Sequence, residues 1–200
     1  MHVYSFDEGK LVDELGVLSN RARIAFAAAA ATRQLGNYER FARESEAGNE
    51  QRPREIAAQL WADLKVAVVD HATWSAKLDE VMSLLPEESD DWVIGYALAD
   101  DALSSLAYSI RCLLTLEPQE AAWAARRAYE AADQAAIRVL GVQPGLPETE
   151  AAIRSHDFVQ RELARQRNDL FQLHADSVDE VQQQAFGDEI LTEQEAAALL

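Results

Sequence analysis

Between Ile24 and Thr32 the chain reads Ala-Phe-Ala-Ala-Ala-Ala-Ala, flanked by Arg23 and by Arg33-Gln34-Leu35. Alanine is the strongest helix former, and a helix clad in methyl groups lets neighbouring helices come close to its backbone. Such a run belongs at the packed centre of an all-helical protein. Only 8 glycines and 5 prolines occur in 200 residues, too few for a turn-rich β architecture. The length suits one domain with a substantial core.

Apolar periodicity near 3.6 recurs along the whole chain. Leu11, Leu15 and Leu18 suggest a short first helix. Ser19 is placed to cap the alanine-rich helix, which Gly36-Asn37 should break, and a further short helix is expected from Tyr38 to Ala47. Behind Pro53, the residues Ile56, Leu60, Trp61, Leu64 and Val68 form one inward stripe. A helix over 74–85 should end before Pro86, followed by the acidic loop Glu87 to Asp91. The helix expected from Asp91 to Leu116 carries Ile94, Leu98, Leu103, Leu106, Ile110 and Leu113, and reads as the central buried one. Pro118 then opens an alanine-rich helix that Gly141 stops, and one long helix is expected from Glu148 to Leu173. The expectation is a single compact all-α bundle of seven to nine helices over residues 1–175. An acidic helical tail, 176–200, is either packed on that body or mobile. Ser177 to Glu180 and Thr192 to Glu195 both have capping-box spacing. Arg167 is the last basic residue, so the acids of the tail have no compensating charge nearby in sequence.

The formal net charge is −17. An acidic exterior repels phosphate, which disfavours nucleic acid and anionic membranes and favours a basic protein partner. The single cysteine, Cys112, excludes a disulfide scaffold and fits a reducing cytoplasm. The first residues lack the charged and apolar regions of a secretory signal. No apolar stretch approaches the roughly 20 residues that cross a bilayer.

Motifs for chemistry are missing. No Glu-x-x-His pair, HExxH, phosphate-cradling glycine loop or GxSxG elbow is present, so neither a metal, a cofactor nor a catalytic residue is expected. Two features stand above this background. Asp100-Asp101 lies in the most apolar helix, where Tyr96, Asp100 and Ser104 share one face. They read either as a polar outer stripe or as an internal salt bridge to Arg33 or Arg127. The second feature is the cluster Arg33, Arg40, Arg43, Arg52 and Arg54, which pairing with Glu39, Glu44, Glu46 and Glu55 would neutralise.

Several of these segments resemble the YjaG-like family of uncharacterised bacterial proteins, domain of unknown function 416. The likeness rests on Ala25-Phe26 through Arg33, Asn37-Tyr38 with Phe41, Leu60-Trp61, Leu85-Pro86 and Gly95-Tyr96 through Asp100-Asp101-Ala102. It covers about residues 8 to 173. It implies an all-α cytoplasmic bacterial protein and supplies no catalytic residues.

The favoured function is a non-enzymatic protein-interaction or regulatory module, with an acidic inhibitor or immunity-type protein as its narrower form. The competing class is a small-ligand binder or enzyme with a polar pocket built from Arg33, Tyr38, Tyr96, Asp100 and Asp101. Homo-oligomerisation through a helix face is a third expectation.

Overall fold

The computed structural model describes residues 3–46, 48–66, 69–86 and 94–199. Val68, the acidic loop after Pro86 and the start of the helix expected from Asp91 lie outside them. Among the described residues every regular element is helical. The order is α1 (Glu8–Gly16), α2 (Asn20–Thr32), α3 (Leu35–Ser45), α4 (Arg52–Val66), α5 (His71–Ser83), α6 (Ile94–Thr115), α7 (Pro118–Leu140), α8 (Pro147–Ser155), α9 (Asp157–His174), α10 (Val178–Gly187) and α11 (Glu193–Ala197). No helix among them is long and apolar enough to cross a membrane.

The alanine run does what its chemistry dictates. From Ala22 to Thr32 every residue of α2 is buried, and the helix is surrounded by α4, α6, α7, α9 and α10. A second methyl-clad surface, Ala121, Ala124, Ala125, Ala128, Ala132 and Ala135 of α7, packs against α2 and α6. Helix α6 is the hub, touching α2, α3, α4, α5 and α7. It keeps one half-exposed stripe at Tyr96, Asp100, Ser104 and Tyr108, so α2 is the more completely enclosed of the two.

Bulk enters around the alanines as fully buried Trp61, Trp74, Phe26 and Tyr38. Each indole N–H finds an acceptor: Trp61 donates to Thr32 Oγ1 at 3.0 Å and Trp74 to Asp63 Oδ2 at 2.9 Å. Arg23 is also buried. Its guanidinium donates to the carbonyls of Leu15, Gly16 and Leu18, where α1 ends, and of Leu116, where α6 ends.

Ser19 caps α2 by accepting from Ala22 N, and Gly141 stops α7 in the left-handed conformation, φ 63°. Three boundaries differ from expectation. The break after α2 falls at Arg33-Gln34, and Gly36-Asn37 lie inside α3. The reason is tertiary: the Arg33 carbonyl, released from the helix, accepts from Ile190 N at 2.9 Å. Gly36 lies close beneath two side chains: a Cβ there would come 2.9 Å from the Glu189 carboxylate and 3.3 Å from Arg40 Nη1, so both ends would have to shift. The expected helix over 148–173 is two helices, since His156 is extended and its Nδ1 accepts from Phe158 N to cap α9. Thr192 and Glu195 form a reciprocal capping box, whereas Ser177 makes no side-chain cap.

Candidate functional site

The largest concentration of buried charge lies between α2 and α9. Arg33 ends the alanine helix, and at i, i+4 and i+7 on α9 stand Glu162, Gln166 and Asp169, one above another on a single face. Arg33 grips Glu162 with two N–H groups, at 3.1 and 2.9 Å, and reaches Asp169 Oδ2 with a third at 2.7 Å. Gln166 donates to Glu162 at 2.9 Å and to the Ala125 carbonyl at 3.0 Å. The three charged side chains are 0–4% exposed. Burial pushes the Asp169 carboxyl above its ordinary range, and Arg33 opposes that shift. The Arg33 cation is itself held protonated by the two carboxylates against the cost of burial.

A second charged set joins α6 to α7. Asp101, 2% exposed, accepts from Arg127 Nη1 at 3.1 Å and from Gln134 Nε2 at 2.9 Å. Burial raises its carboxyl to about 7 despite Arg127. Its neighbour Asp100 is 47% exposed and lies 3.9 Å from the same guanidinium. The internal salt bridge thus belongs to Asp101, and Asp100 stays on the half-exposed stripe with Tyr96 and Ser104.

The five residues of the expected pocket go to separate places. Arg33 faces α9, and Asp100 and Asp101 face Arg127. The buried Tyr38 ring sets its hydroxyl against Gly48, whose φ of 76° and lack of a Cβ leave room for it. Burial raises that phenol, with the Asn49 backbone opposing. Tyr96 meets Phe41 edge-on at 4.9 Å. Among the described residues no hydrogen bond or ion pair joins any two of the five. Arg33 borders a cavity of about 310 Å³, which it shares with Arg161, Arg165, Asn168, Asp169 and Asp188.

Across that cavity lies the tail. Three arginines hold the segment between α10 and α11, each through both backbone and carboxylate. Arg165 donates to Glu189 O and pairs with Asp188; Arg161 donates to Ile190 O and grips both oxygens of Glu195; Arg40 donates to Leu191 O and pairs with Glu189 and Glu193. Arg161 and Thr192 hold the Glu195 carboxyl down at about 2. Burial lowers the Arg165 guanidinium, with Arg33 and Arg161 adding to the effect. Asp176 and Asp179 reach Arg21 and Lys65. Apart from Glu180, the described acids of the tail, uncompensated in sequence, are compensated in space.

The arginine cluster is neutralised within the chain, but by partners other than those expected for most of its members. Arg54 pairs with Glu39 and Arg52 with Glu55 and Glu80, while Arg43 pairs with Glu50 and Arg40 with the tail. Burial pushes the Cys112 thiol up to about 12. Among the described residues no group of three or more His, Cys, Asp or Glu side chains is arranged to hold a metal ion. Glu162, Asp169 and Gln134 were missed as partners in sequence, although the polar i, i+4, i+7 row within α9 was a readable signal for the first two.

Residues 10–192 match a family described as protein of unknown function, DUF416. The chain belongs to that family. A solved structure of a DUF416 family protein from Shewanella baltica OS155 superposes with a TM-score of 0.76 at 16% identity, covering 88% of this chain and 93% of that one. At that identity the likeness shows a shared fold. No curated protein matches the chain. The DUF416 match runs through α10, so the region of family likeness extends beyond the resemblance read over 8 to 173.

Proposed function

We propose that this chain is a non-enzymatic interaction module whose acidic exterior docks a basic surface on another protein. The observation that supports this reading is the disposition of its cations. Apart from Arg23, Lys77, Arg138, Arg154 and Arg167, every Lys and Arg forms an ion pair with a carboxylate of its own chain. The most buried of those pairs, Arg33 with Glu162 and Asp169 and Arg127 with Asp101, are hydrogen-bonded within the fold. What the exterior offers a partner is therefore mostly carboxylate, including exposed Asp13, Asp79 and Glu180, which have no cationic partner among the described residues. A surface of one sign accelerates encounter with the opposite sign and is screened by salt.

The test is affinity capture from the cells that make the protein, at about 0.05 and about 0.3 M salt, where screening differs strongly. The wild type is compared with a variant carrying Asp13→Asn, Asp79→Asn and Glu180→Gln. A basic partner recovered at low salt, and reduced by both salt and the variant, supports the reading. No reproducible partner, or one indifferent to salt, refutes it.

A further inference from the structure

The segment that the three arginines hold, residues 188–191 between α10 and α11, is bound as a peptide ligand is bound. It leaves α10 extended at Asp188, and among the described residues no backbone hydrogen bond joins one of its members to another. Its main chain is read instead by side chains and ends of other helices. Ile190 N donates to the Arg33 carbonyl at 2.9 Å. Three successive carbonyls, those of Glu189, Ile190 and Leu191, accept from Arg165, Arg161 and Arg40. The Ile190 and Leu191 side chains are buried. Among the described residues, every ion pair of these three arginines is to Asp188, Glu189, Glu193 or Glu195. The attachment is also light. The pairs to Asp188, Glu189 and Glu193 stand at 3.6 to 3.7 Å, beyond hydrogen-bonding distance. Helix α11, which follows, packs least against the other helices. Segments with few packed neighbours are the ones that open locally while the fold persists.

We infer that this arginine-lined seat between α3 and α9 is a docking site for an extended segment of another protein, and that the chain's own residues 188–195 occupy it until displaced. Main-chain atoms are common to all peptides, so a fixed row of donors serves any segment whose side chains fit. The side chains that fit are those now in place: two adjacent aliphatic residues in the buried seats, with acidic residues on both flanks. The acids are required because these arginines have no other carboxylate to pair with once the segment leaves. Two copies of the chain, each with a net charge of −17, repel one another, so the incoming segment belongs to a different protein. The chain's own segment competes with it, and lowers its apparent affinity in proportion to the time the seat is closed. This site goes beyond the docking of the acidic exterior and does not depend on it.

A fluorescent peptide copying residues 187–197, titrated into the whole chain and followed by anisotropy, tests the inference. Wild type binds it weakly. Ile190→Ala with Glu195→Gln loosens the chain's own segment, leaves the arginines in place and binds the peptide at least about tenfold tighter. Adding Arg161→Leu removes that gain, although it loosens the segment further. A peptide with serine at both aliphatic positions, or lysine at the acidic ones, binds at least about tenfold more weakly than the original. Glu195→Gln alone, on a side chain 26% exposed, keeps the fold and gives a smaller gain of about two- to fivefold. No binding to either loosened protein at about 1 mM peptide overturns the inference. So does equal binding of the serine peptide, or binding undiminished by Arg161→Leu. A loosened protein that dimerises in light scattering instead of taking the peptide overturns it as well.

Discussion

Replacing Arg33 by methionine keeps much of the side chain's length and apolar stem while removing the charge that holds Glu162 and Asp169. Those carboxylates are 0% and 4% exposed, and Gln166 alone would remain to serve Glu162. Breaking a buried pair by removing one partner costs about 3–5 kcal/mol, because the survivor is a charge without compensation. Two stranded carboxylates put this protein at the upper end of that range. For a chain of this size each kcal/mol moves Tm by about 2–4 °C, so a fall of roughly 8–20 °C is expected. The loss depends on pH in a determined direction. Without the cation the Asp169 carboxyl, already raised by burial, rises further above its unfolded value, so the folded variant takes up a proton there. Its deficit is smallest in acid and grows as pH rises through that raised value. Urea melts of wild type and Arg33→Met at about pH 5 and about pH 8 measure this. The triple variant Arg33→Met, Glu162→Leu, Asp169→Leu strands nothing and should recover most of the loss, since apolar replacement of a buried ion pair is often neutral or stabilising. A single-variant loss below about 1 kcal/mol, the same loss at both pH values, or a triple variant worse than the single would each refute the argument.

Asp101 gives a second pH test. Its carboxyl, raised from 3.8 to about 7, stabilises the fold most when protonated, so its contribution declines as pH rises through 7. Asp101→Asn should therefore gain on the wild type between about pH 4 and pH 8, by on the order of 3–4 kcal/mol in denaturation, and a parallel pair of pH profiles contradicts this. Ala28→Leu forces three extra carbons into the closed centre of α2 and should cost about 1–3 kcal/mol or more in a thermal melt; a neutral result would mean that the surrounding helices are not tightly seated. Arg161→Leu removes the donor to Ile190 O and both contacts to Glu195, so amide exchange over residues 190–197 should quicken while α2 and α6 remain protected. Uniform protection across the chain would show that the tail is held by its apolar residues alone.

What could be read in the sequence was what repeats. The alanine run, the stripe through Ile56, Leu60 and Trp61, the start at Pro118 and the stop at Gly141 each follow from local propensity and periodicity, and the structure places them accordingly. The end of α2 was misplaced because its cause is distant: Ile190 supplies the donor that turns the Arg33 carbonyl outward. The same limit governs the charges. Asp100 and Asp101 are indistinguishable by composition, yet one residue step of about 100° on α6 leaves the first half-exposed at the edge of Arg127 and buries the second against Arg127 and Gln134. Arginines read beside their sequence neighbours found partners elsewhere, most plainly Arg33 with α9 and Arg40 with the tail. Ion pairing is set by which helices meet, and no period in a sequence states that.

Arg23 ties distant pieces of chain to one event. The last carbonyls of α1 and α6 point their partial negative charges at a single enclosed cation. If either terminus unwound by itself, the guanidinium would remain trapped beside the other, short of acceptors and out of reach of solvent. The two ends consequently fray together or not at all, and a part of the bundle that would ordinarily be its loosest is bound to the melting of the whole.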